Sequence, residues 1–412
     1  MSTSTEPHVN AARWPDVARV PRSPLRAAAA SALVRRVARR LGLRVETPQG
    51  TAGAARGPAL RLRRPEAFLH RLGTGGLIGF GEAYQAGDWD SDDLPGLLTV
   101  LAANVDMLVP PPLQRLRRPF VGALPARHDN TRANARRNIA EHYDLPEAMF
   151  ALFLDETMTY SSALFGGALA HWDDLAEAQR RKIDRLLDRT GVGRGSTVLE
   201  IGAGWGEAAV RAAERGARVH TVTLSSRQLE RTRALAAERG VADRVEAELR
   251  DYRDLDPERR YDAAISVEMI EAVGERYWPA YFAVLRRSLA PGGQVGLQAI
   301  SMRHRRMMAA RRTHTWIHKY VFPGGIIPSM PVMERCADAA RLRLVDRLDF
   351  GGDYAQTLRL WRERFGSHAE RLAELGFDEV FQRTWEFYLA YAQAGFASGY
   401  LDVHQLILEA RR

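Results

Sequence analysis

The chain has 412 residues, of which 46% are hydrophobic, and this size allows a large buried core and two domains. Its single cysteine, Cys336, excludes an internal disulfide framework and a cysteine-rich metal site, so we predict no metal and a reducing, cytoplasmic compartment. The formal net charge of +9 favours an anionic partner, either nucleic acid or an anionic membrane surface. We find no apolar run of membrane-spanning length and no signal-peptide pattern, so we expect neither a transmembrane segment nor secretion.

Residues 1–58 form the first predicted segment, which is basic and partly disordered, with the disorder expected over residues 1–22. A helix is predicted within it, with four apolar residues on one face and four arginines on the other: Leu33, Val34, Val37 and Leu41 against Arg35, Arg36, Arg39 and Arg40. This pattern suits a helix that lies on a phospholipid surface. It also suits an ordinary amphipathic helix packed on its own domain, and the sequence leaves both interpretations open.

Residues 59–130 are predicted to form a small α-rich domain. Strand-like alternation at Leu60–Leu62 precedes a glycine-rich turn and the run Gly79–Asp90. Helical periodicity then covers Leu94–Leu108 until three consecutive prolines interrupt it. No pattern typical of catalysis occurs in this domain, and a linker follows it from Pro125 to Arg136.

Residues 131–412 alternate strand and helix patterns. The predicted strands are Val198–Ile201, Val219–Leu224, Val245–Leu249, Ala263–Glu268, Gln294–Ala299, Leu344–Leu348 and Val403–Leu408. The predicted helices lie near Glu207–Glu214, Arg227–Glu238, Arg276–Leu289, Tyr354–Phe365 and Asp378–Ala394. Repeated strand–helix units indicate an α/β domain with a mostly parallel, seven-stranded sheet, helices on both faces and a ligand at the carboxyl ends of the strands.

The segment Ser196–Val210 carries the main binding signal, since it predicts a buried strand, a turn with glycines at 202, 204 and 206, and a helix that begins at Glu207. Such a unit presents backbone N–H groups and the positive end of a helix to a ligand. Glycines allow that ligand to approach the backbone closely. The pattern is shared by dinucleotide and S-adenosylmethionine sites.

Three features favour S-adenosylmethionine over a dinucleotide. The tip of the second strand, Val222–Gln228, lacks the acid that a nicotinamide cofactor usually requires for its ribose. Glu200, at the end of the first strand, suits the cationic amino acid portion of S-adenosylmethionine. Tyr252 lies within Arg250–Asp254 after the third strand, where an aromatic ring and an acid could hold adenine.

A set of motifs that follow one another along the chain allows a more specific prediction of function. These are Gly79–Asp90, His142–Leu145, Met158–Ser161, Leu199–Gly206, Thr223–Gln228, Glu268–Gly274, Lys319–Gly325 with Pro328–Ser329, and Asp353–Leu358. With them the chain, from Ala59 to its C-terminus, resembles the cyclopropane-fatty-acyl-phospholipid synthase family. The resemblance implies a Rossmann-like class I methyltransferase that transfers a methyl group from S-adenosylmethionine to the double bond of an unsaturated acyl chain in a membrane phospholipid.

The resemblance also implies site residues. The expected cofactor contacts, besides Glu200, are Tyr160, Ser161, Gly202, Gly204, Thr223, Gln228 and Tyr252. In relatives a bound bicarbonate is the base, and the positions that would hold it here are Ser162, Glu271, Gln298, Ile300 and Tyr354. Ser162 and Gln298 depart from the Cys and His of relatives, and Gln298 can donate a hydrogen bond but cannot titrate as His does.

The altered base pocket guides the prediction of the product. Methylation of the alkene leaves a carbocation, and loss of a proton from the new methyl group closes a cyclopropane. A hydride shift before the proton loss gives an exocyclic methylene instead. We predict the methylene-branched product, as in the 10-methylene branch of the tuberculostearic acid pathway, with cyclopropane formation as the alternative.

The basic run Arg303–Arg312 follows the fifth strand on the active-site side. Its arginines could hold phosphate headgroups while Met307 and Met308 enter the lipid, although a solvated basic helix would show the same pattern. With a phospholipid substrate, we expect peripheral association with the inner face of the membrane and a lipid-associated domain at residues 59–130. A homodimer and a separate reductase that acts on the methylene product are the other expected partners.

Three rival classes are disfavoured. A nucleic-acid methyltransferase would suit the basic charge, but no base-flipping motif is visible and we expect no nucleic-acid partner. A small-molecule methyltransferase would not need the basic surface. A lipid-binding protein without enzymatic activity would not need an intact cofactor loop.

Overall fold

The computed structural model describes residues 9–54, 56–105, 125, 129–135, 145–167 and 169–411. They fall into two compact units: the first within 1–124, 312–321 and 361–400, the second within 125–311, 322–360 and 401–412. These units differ from the predicted domains 1–58, 59–130 and 131–412, because residues 312–321 and 361–400 belong to the first unit. Residues 142–144 of the His142–Leu145 motif, and 126–128 and 136 of the predicted linker, lie outside the described residues.

The strands of the described residues are β1 Arg44–Thr47, β2 Gly50–Gly53, β3 Ala59–Leu62, β4 Trp89–Asp90, β5 Thr197–Ile201, β6 Arg218–Thr223, β7 Val245–Leu249, β8 Tyr261–Val267, β9 Leu289–Met302, β10 Leu342–Asp349 and β11 Leu401–Ala410. The helices are α1 Pro15–Ala18, α2 Pro24–Leu41, α3 Pro65–Gln85, α4 Leu94–Ala103, α5 Glu147–Ala151, α6 Leu175–Arg189, α7 Glu207–Glu214, α8 Ser226–Glu238, α9 Ile270–Val273, α10 Trp278–Arg287, α11 His304–Ala310, α12 Trp316–Tyr320, α13 Met330–Ala339, α14 Gly351–Gly366, α15 Ala369–Glu374 and α16 Glu379–Ala397.

The first unit contains a small sheet with strand order β2-β1-β3-β4 beside its helices. The predicted alternation at Leu60–Leu62 is confirmed as β3, in which Leu60 and Leu62 are buried. The sequence did not predict the hairpin of β1 and β2, because β2 is exposed along its whole length and therefore has no apolar alternation. The predicted helix Leu94–Leu108 is present as α4 up to Ala103, and residues 106–108 lie outside the described part.

The N-terminal segment is more ordered than its composition indicates. Residues 15–18 form α1, and the side chain of Val17 is fully buried. The guanidinium of Arg71, on α3, donates hydrogen bonds to the carbonyl oxygens of Asp16 (3.2 Å) and Arg19 (3.0 Å). The predicted disorder is therefore wrong for this part of residues 1–22, because a buried guanidinium holds the backbone in place.

The predicted amphipathic helix is present as α2 and packs against α3 within the first unit. Its buried residues are Ala30 and Ala38, while Leu33 is 44% exposed. The contact face is thus rotated from the predicted one toward the alanines, which allow close approach of the two helices. The packed interpretation of this helix is confirmed, and its four arginines point to solvent. Within the described residues, we find no helix with the length and apolar character needed to cross a membrane.

The second unit contains a seven-stranded sheet with strand order β10-β11-β9-β8-β5-β6-β7. Strands β5 to β9 pair in parallel, whereas β11 is antiparallel to both β9 and β10. All seven predicted strands are present, so the predicted α/β fold with a mostly parallel, seven-stranded sheet is confirmed. The prediction for the fifth strand, Gln294–Ala299, covers only the centre of β9.

Strand β5 explains where the site forms. Leu199 and Ile201 pack into one buried cluster with Tyr281, whereas Val198 packs into another with Ile183, so both faces of the strand are covered. Central parallel strands of this kind read as continuous apolar runs. β5 lies between β6 and β8, where the strand order reverses, and ligands of open α/β sheets bind beside the carboxyl ends of strands at such a point.

Candidate active site

The glycine turn after β5 begins the site. Gly202, Gly204 and Gly206 have φ angles of 95°, 52° and 100°. Residues other than glycine rarely adopt such positive φ angles, because of their Cβ atom. At Gly206 a Cβ would lie 2.9 Å from the Cα of Thr232, so α8 excludes any side chain there. At Gly204 a Cβ would meet no protein atom within 4 Å. The turn therefore packs closely against the protein at Gly206 and presents open backbone to a ligand at Gly204.

A pocket opens at this turn, beside the ends of β5, β6 and β8. Its lining includes all eight predicted cofactor contacts: Tyr160, Ser161, Glu200, Gly202, Gly204, Thr223, Gln228 and Tyr252. The lining as a whole brings together six separate stretches of the sequence: 157–161, 182–183, 200–208, 222–228, 250–252 and 267–272. The contact of the eight predicted residues with the cofactor stays a prediction.

The end of β6 offers hydroxyl and amide groups in place of an acid. Thr223 Oγ1 donates a hydrogen bond of 2.7 Å to Gln228 Oε1. Ser225 caps α8, since its Oγ accepts a hydrogen bond of 3.3 Å from the backbone N–H of Gln228. The cap fixes the first turn of α8, and with it the side chain of Gln228 beside the pocket.

Glu200 is almost fully buried at the end of β5, and Thr221 Oγ1 donates a hydrogen bond of 2.5 Å to its Oε2. Burial raises the pKa of Glu200 to about 8, and the Thr221 hydrogen bond acts in the opposite direction. A cation bound beside this carboxyl would stabilise its charged form and lower that pKa. Glu200 therefore suits the predicted contact with a positively charged ligand.

Lys182, on α6, also lines the pocket and was not predicted from sequence. Its side chain is fully buried, and its Nζ donates a hydrogen bond to Ser161 Oγ. Burial lowers the pKa of Lys182 to about 7, although Glu268 and Asp155 act in the opposite direction. The sequence did contain a signal: Lys182 lies at helical spacing from Ala178 and Leu186, on the apolar face of α6.

The second group of predicted residues gathers around Glu268, which follows β8. Glu268 Oε1 accepts hydrogen bonds from the backbone N–H of Ser162 (2.9 Å) and from Gln298 Nε2 (2.8 Å). Its Oε2 accepts a hydrogen bond of 2.7 Å from the Tyr354 hydroxyl. The backbone of Glu268 has a φ of 49°, a left-handed conformation that costs a non-glycine residue about 1–2 kcal/mol. Strain of this kind is concentrated at functional sites.

Gln298 is fully buried on β9, and both ends of its amide are paired. Its Oε1 accepts a hydrogen bond of 3.0 Å from Gln405 Nε2, and its Nε2 donates to Ser162 O (3.3 Å) as well as to Glu268. Because Gln405 donates to the oxygen of Gln298, the amide nitrogen faces the Glu268 carboxylate. The buried amide of Gln298 therefore has hydrogen-bond partners for both its oxygen and its nitrogen, as burial of a polar group requires.

Glu271 lies three residues after Glu268, at the start of α9. Its Oε1 accepts a hydrogen bond from the backbone N–H of Ile300, whereas its Oε2 is buried without a hydrogen-bond partner among the described residues. Burial, and then the neighbouring charge of Glu268, raises the pKa of Glu271 to about 8. The five residues predicted to hold bicarbonate thus surround two carboxyl groups, and Glu268 was named from sequence only as part of a motif.

The aromatic residues of the pocket are held by packing. Tyr252 is 6% exposed and packs edge to face against Tyr281, with 5.5 Å between the ring centroids. Burial raises the pKa of Tyr252, so its hydroxyl stays neutral. Tyr160 packs in the same way against Phe150, at 5.3 Å. Both rings are therefore fixed before a ligand binds.

The basic run after β9 forms α11. Arg303 and Arg305 are exposed and Met308 is 41% exposed, in agreement with a surface that could contact lipid. Met307 is buried in the core of the second unit, so the expectation that it enters lipid is wrong: its side chain packs inward. Arg311 pairs with Glu275 at 2.6 Å and is therefore partly neutralised.

Comparisons with known proteins agree with this geometry. Residues 130–406 match the family described as "Mycolic acid cyclopropane synthetase". The chain is 54% identical, over 97% of its length and 96% of the relative's, to "Tuberculostearic acid methyltransferase UfaA1" of Mycobacterium tuberculosis. It is 32% identical, over 84% and 87% of the two chains, to "Cyclopropane-fatty-acyl-phospholipid synthase" of Escherichia coli.

A solved structure is also similar. The crystal structure of mycolic acid cyclopropane synthase CmaA1, in complex with SAH and CTAB, superposes with a TM-score of 0.60 at 31% identity, covering 66% of this chain and 97% of that one. The predicted enzyme class, an S-adenosylmethionine-dependent methyltransferase related to cyclopropane synthases, is confirmed by these matches. The chain therefore belongs to the mycolic acid cyclopropane synthetase family.

Proposed function

We propose that the protein transfers the methyl group of S-adenosylmethionine to the double bond of an unsaturated acyl chain in a membrane phospholipid and yields a 10-methylene chain. The observation that carries the proposal is the 54% identity to the tuberculostearic acid methyltransferase over nearly the whole of both chains. The paired acids beside a glycine-lined pocket provide the surroundings that a cationic reaction needs.

The residues of the pocket fit S-adenosylmethionine. The open backbone at Gly204 leaves space for a ligand, and Glu200 offers a buried carboxyl to its cationic portion. Tyr252 offers an aromatic ring, and Thr223 with Gln228 offers polar groups to a ribose. When bound, the cofactor supplies an electrophilic methyl group on a sulfonium. The place of Tyr160, Ser161 and Gly202 in the same lining supports their expected contact with the cofactor.

The acidic cluster provides the second half of the chemistry. Addition of the methyl group leaves a positive charge on the acyl chain, and a carboxylate held by fixed donors stabilises such a charge in a buried site. Ser162, Gln298 and Tyr354 hold the Glu268 carboxylate, and Ile300 holds Glu271. For the methylene product, a hydride moves from the methylated carbon to its neighbour, and a proton then leaves the new methyl group.

Cyclopropane formation is the second candidate, and one observation favours it. The family model is named for cyclopropane synthesis, and the 32% identical relative carries the same activity in its name. Both reactions share the cofactor, the substrate and the first step. They differ only in whether the hydride shifts before the proton is lost.

We propose further that the chain works at a membrane. Exposed Arg303, Arg305 and Met308 support contact with anionic phospholipid, and Leu25 and Leu77 of the first unit are also exposed. Residues 59–130 would form the lipid-associated domain and residues 131–412 the methyltransferase domain. A homodimer, and a separate reductase that converts the methylene to a methyl branch, complete the proposal.

Product analysis tests the function. The purified protein is incubated with S-adenosylmethionine and vesicles of oleoyl phospholipid, and the released acids are treated with ozone before mass spectrometry. A methylene chain is cleaved to a 10-oxo acid, whereas a cyclopropane resists ozone. Formation of the oxo acid is expected, an ozone-resistant product would establish the alternative, and no methylated acid from any unsaturated phospholipid would contradict both.

A further inference from the structure

The residues expected to hold bicarbonate do not fit a bound anion. Three of them, Ser162, Gln298 and Tyr354, already donate to the carboxylate of Glu268. The other two, Glu271 and Ile300, are hydrogen-bonded to each other. A bicarbonate in this position would have to displace the Glu268 side chain from three hydrogen bonds of 2.7–2.9 Å.

Electrostatic repulsion also disfavours a bicarbonate bound at this position. An anion in this cluster would lie beside the Glu268 carboxylate, and like charges in a buried site repel strongly. The charge of Glu268 already raises the pKa of Glu271, which shows that the two carboxyl groups interact. Lys182 is a buried cationic side chain of the same pocket, and because burial lowers its pKa to about 7, it offers only part of a positive charge to offset a second anion.

The geometry instead places a carboxylate of the chain where the base is needed. Glu268 lines the same pocket as the glycine turn and the expected cofactor contacts, so its carboxylate lies at the site of the proposed methyl transfer. The Gln405 amide fixes the orientation of Gln298, which keeps its donor nitrogen on Glu268. The left-handed backbone at Glu268 is held against its own strain by these contacts.

We propose that Glu268 is the catalytic base of this enzyme and takes the place of an exogenous bicarbonate, an inference that rests on the proposed function. A C–H bond of the new methyl group breaks, its electron pair forms the double bond to the cationic carbon, and the proton goes to a carboxylate oxygen of Glu268. Ser162, Gln298 and Tyr354 position that carboxylate. Gln298 suits this role because it donates to a carboxylate at every pH, whereas a neutral His has only one N–H.

Two substitutions of one residue test the proposal. Glu268→Gln keeps the shape but removes the base, so we expect turnover to fall about 100-fold or more, with binding of S-adenosylmethionine unchanged by calorimetry. Glu268→Gly removes the side chain, relieves the positive φ and opens a space lined by the same donors. We expect its low turnover to rise at least about tenfold on addition of bicarbonate or formate, an anion that restores a carboxylate. Glu275→Gln, outside the site, is the matched control.

The wild type provides the remaining comparison. Its turnover in carbonate-free buffer should equal its turnover with added bicarbonate. A wild type that needs bicarbonate, a Glu268→Gln variant with normal turnover, or a Glu268→Gly variant that neither anion rescues would each overturn the proposal. Product identity is read separately in the wild type, so a cyclopropane product would refute the methylene function without affecting the test of the base.

Discussion

The glycine turn allows a prediction in which two neighbouring substitutions affect different properties of the protein. Gly206→Ala adds a Cβ at a φ of 100° and only 2.9 Å from the Cα of Thr232, a backbone atom of α8 that cannot move alone. Gly204→Ala adds a Cβ at a φ of 52° with no protein atom within 4 Å. The first substitution should therefore damage the fold, and the second should damage ligand binding.

The magnitudes follow from strain and crowding. A left-handed alanine costs about 1–2 kcal/mol, and this term applies at both positions. Overpacking against α8 adds about 1–3 kcal/mol at Gly206 only. We therefore expect Gly206→Ala to lose about 2–5 kcal/mol of unfolding free energy and Gly204→Ala about 1–2 kcal/mol. Because Gly204 presents open backbone to the pocket, its variant should bind S-adenosylmethionine at least about tenfold more weakly, a loss of about 1.4 kcal/mol.

The assays are urea unfolding for the free energies and calorimetry for the affinity, each on the full chain. Gly240→Ala is the matched control, since Gly240 is also left-handed (φ 68°) with no atom within 4 Å, but it lies outside the pocket. Gly240→Ala should lose as much stability as Gly204→Ala and retain wild-type affinity. Equal stability of the Gly206 and Gly204 variants, or wild-type affinity in Gly204→Ala, would refute the reasoning.

Three further predictions concern the acids and the surface. Tyr354→Phe removes a 2.7 Å hydrogen bond to the Glu268 carboxylate, and a hydrogen bond to a charged group is worth about 1.5–3 kcal/mol. We therefore expect kcat to fall about 10- to 150-fold while the affinity for the cofactor stays unchanged. An unchanged kcat would show that Tyr354 does not act in the site. Burial raises the pKa of Glu271 from 4.5 to about 8, so between these pH values the folded chain holds a proton that the unfolded chain has released. The contribution of this carboxyl to the unfolding free energy is therefore fully present below pH 4.5 and is lost as pH rises through 8. The unfolding free energy of Glu271→Gln relative to wild type should therefore increase between pH 5 and pH 9, and a constant difference would contradict the burial of this carboxyl. Arg303→Glu with Arg305→Glu should reduce flotation with anionic vesicles and leave binding of S-adenosylmethionine unchanged, whereas equal flotation would exclude α11 from the membrane surface.

The sequence predicted the features that local pattern determines. The short run of mostly apolar residues in β5, with Val198, Leu199 and Ile201, indicates a buried parallel strand, and the glycine spacing after β5 identifies a ligand-binding turn. The positions of Glu271 and Tyr354 followed from motif resemblance rather than from periodicity. The small sheet of the first unit was missed because β2 is exposed and short.

The interior chemistry of the site was the hardest part to predict. The helical spacing of α6 places Lys182 on its apolar face, but only the fold shows that this side chain is buried against Ser161. Glu268 contacts Ser162, Gln298 and Tyr354, which are 106, 30 and 86 residues away along the chain. No local sequence pattern indicates such long-range pairing. The proposed replacement of bicarbonate by the Glu268 side chain could therefore be inferred only from the three-dimensional structure.

The label position in the product tests the proposed reaction most directly. The wild-type protein is given S-adenosylmethionine and a phospholipid whose oleoyl chain carries deuterium on carbon 10, and the methylated acid is fragmented in the mass spectrometer. A hydride shift from carbon 10 to carbon 9 predicts that the deuterium lies on carbon 9, next to a methylene on carbon 10. Deuterium retained on carbon 10 within a cyclopropane ring would contradict the methylene function.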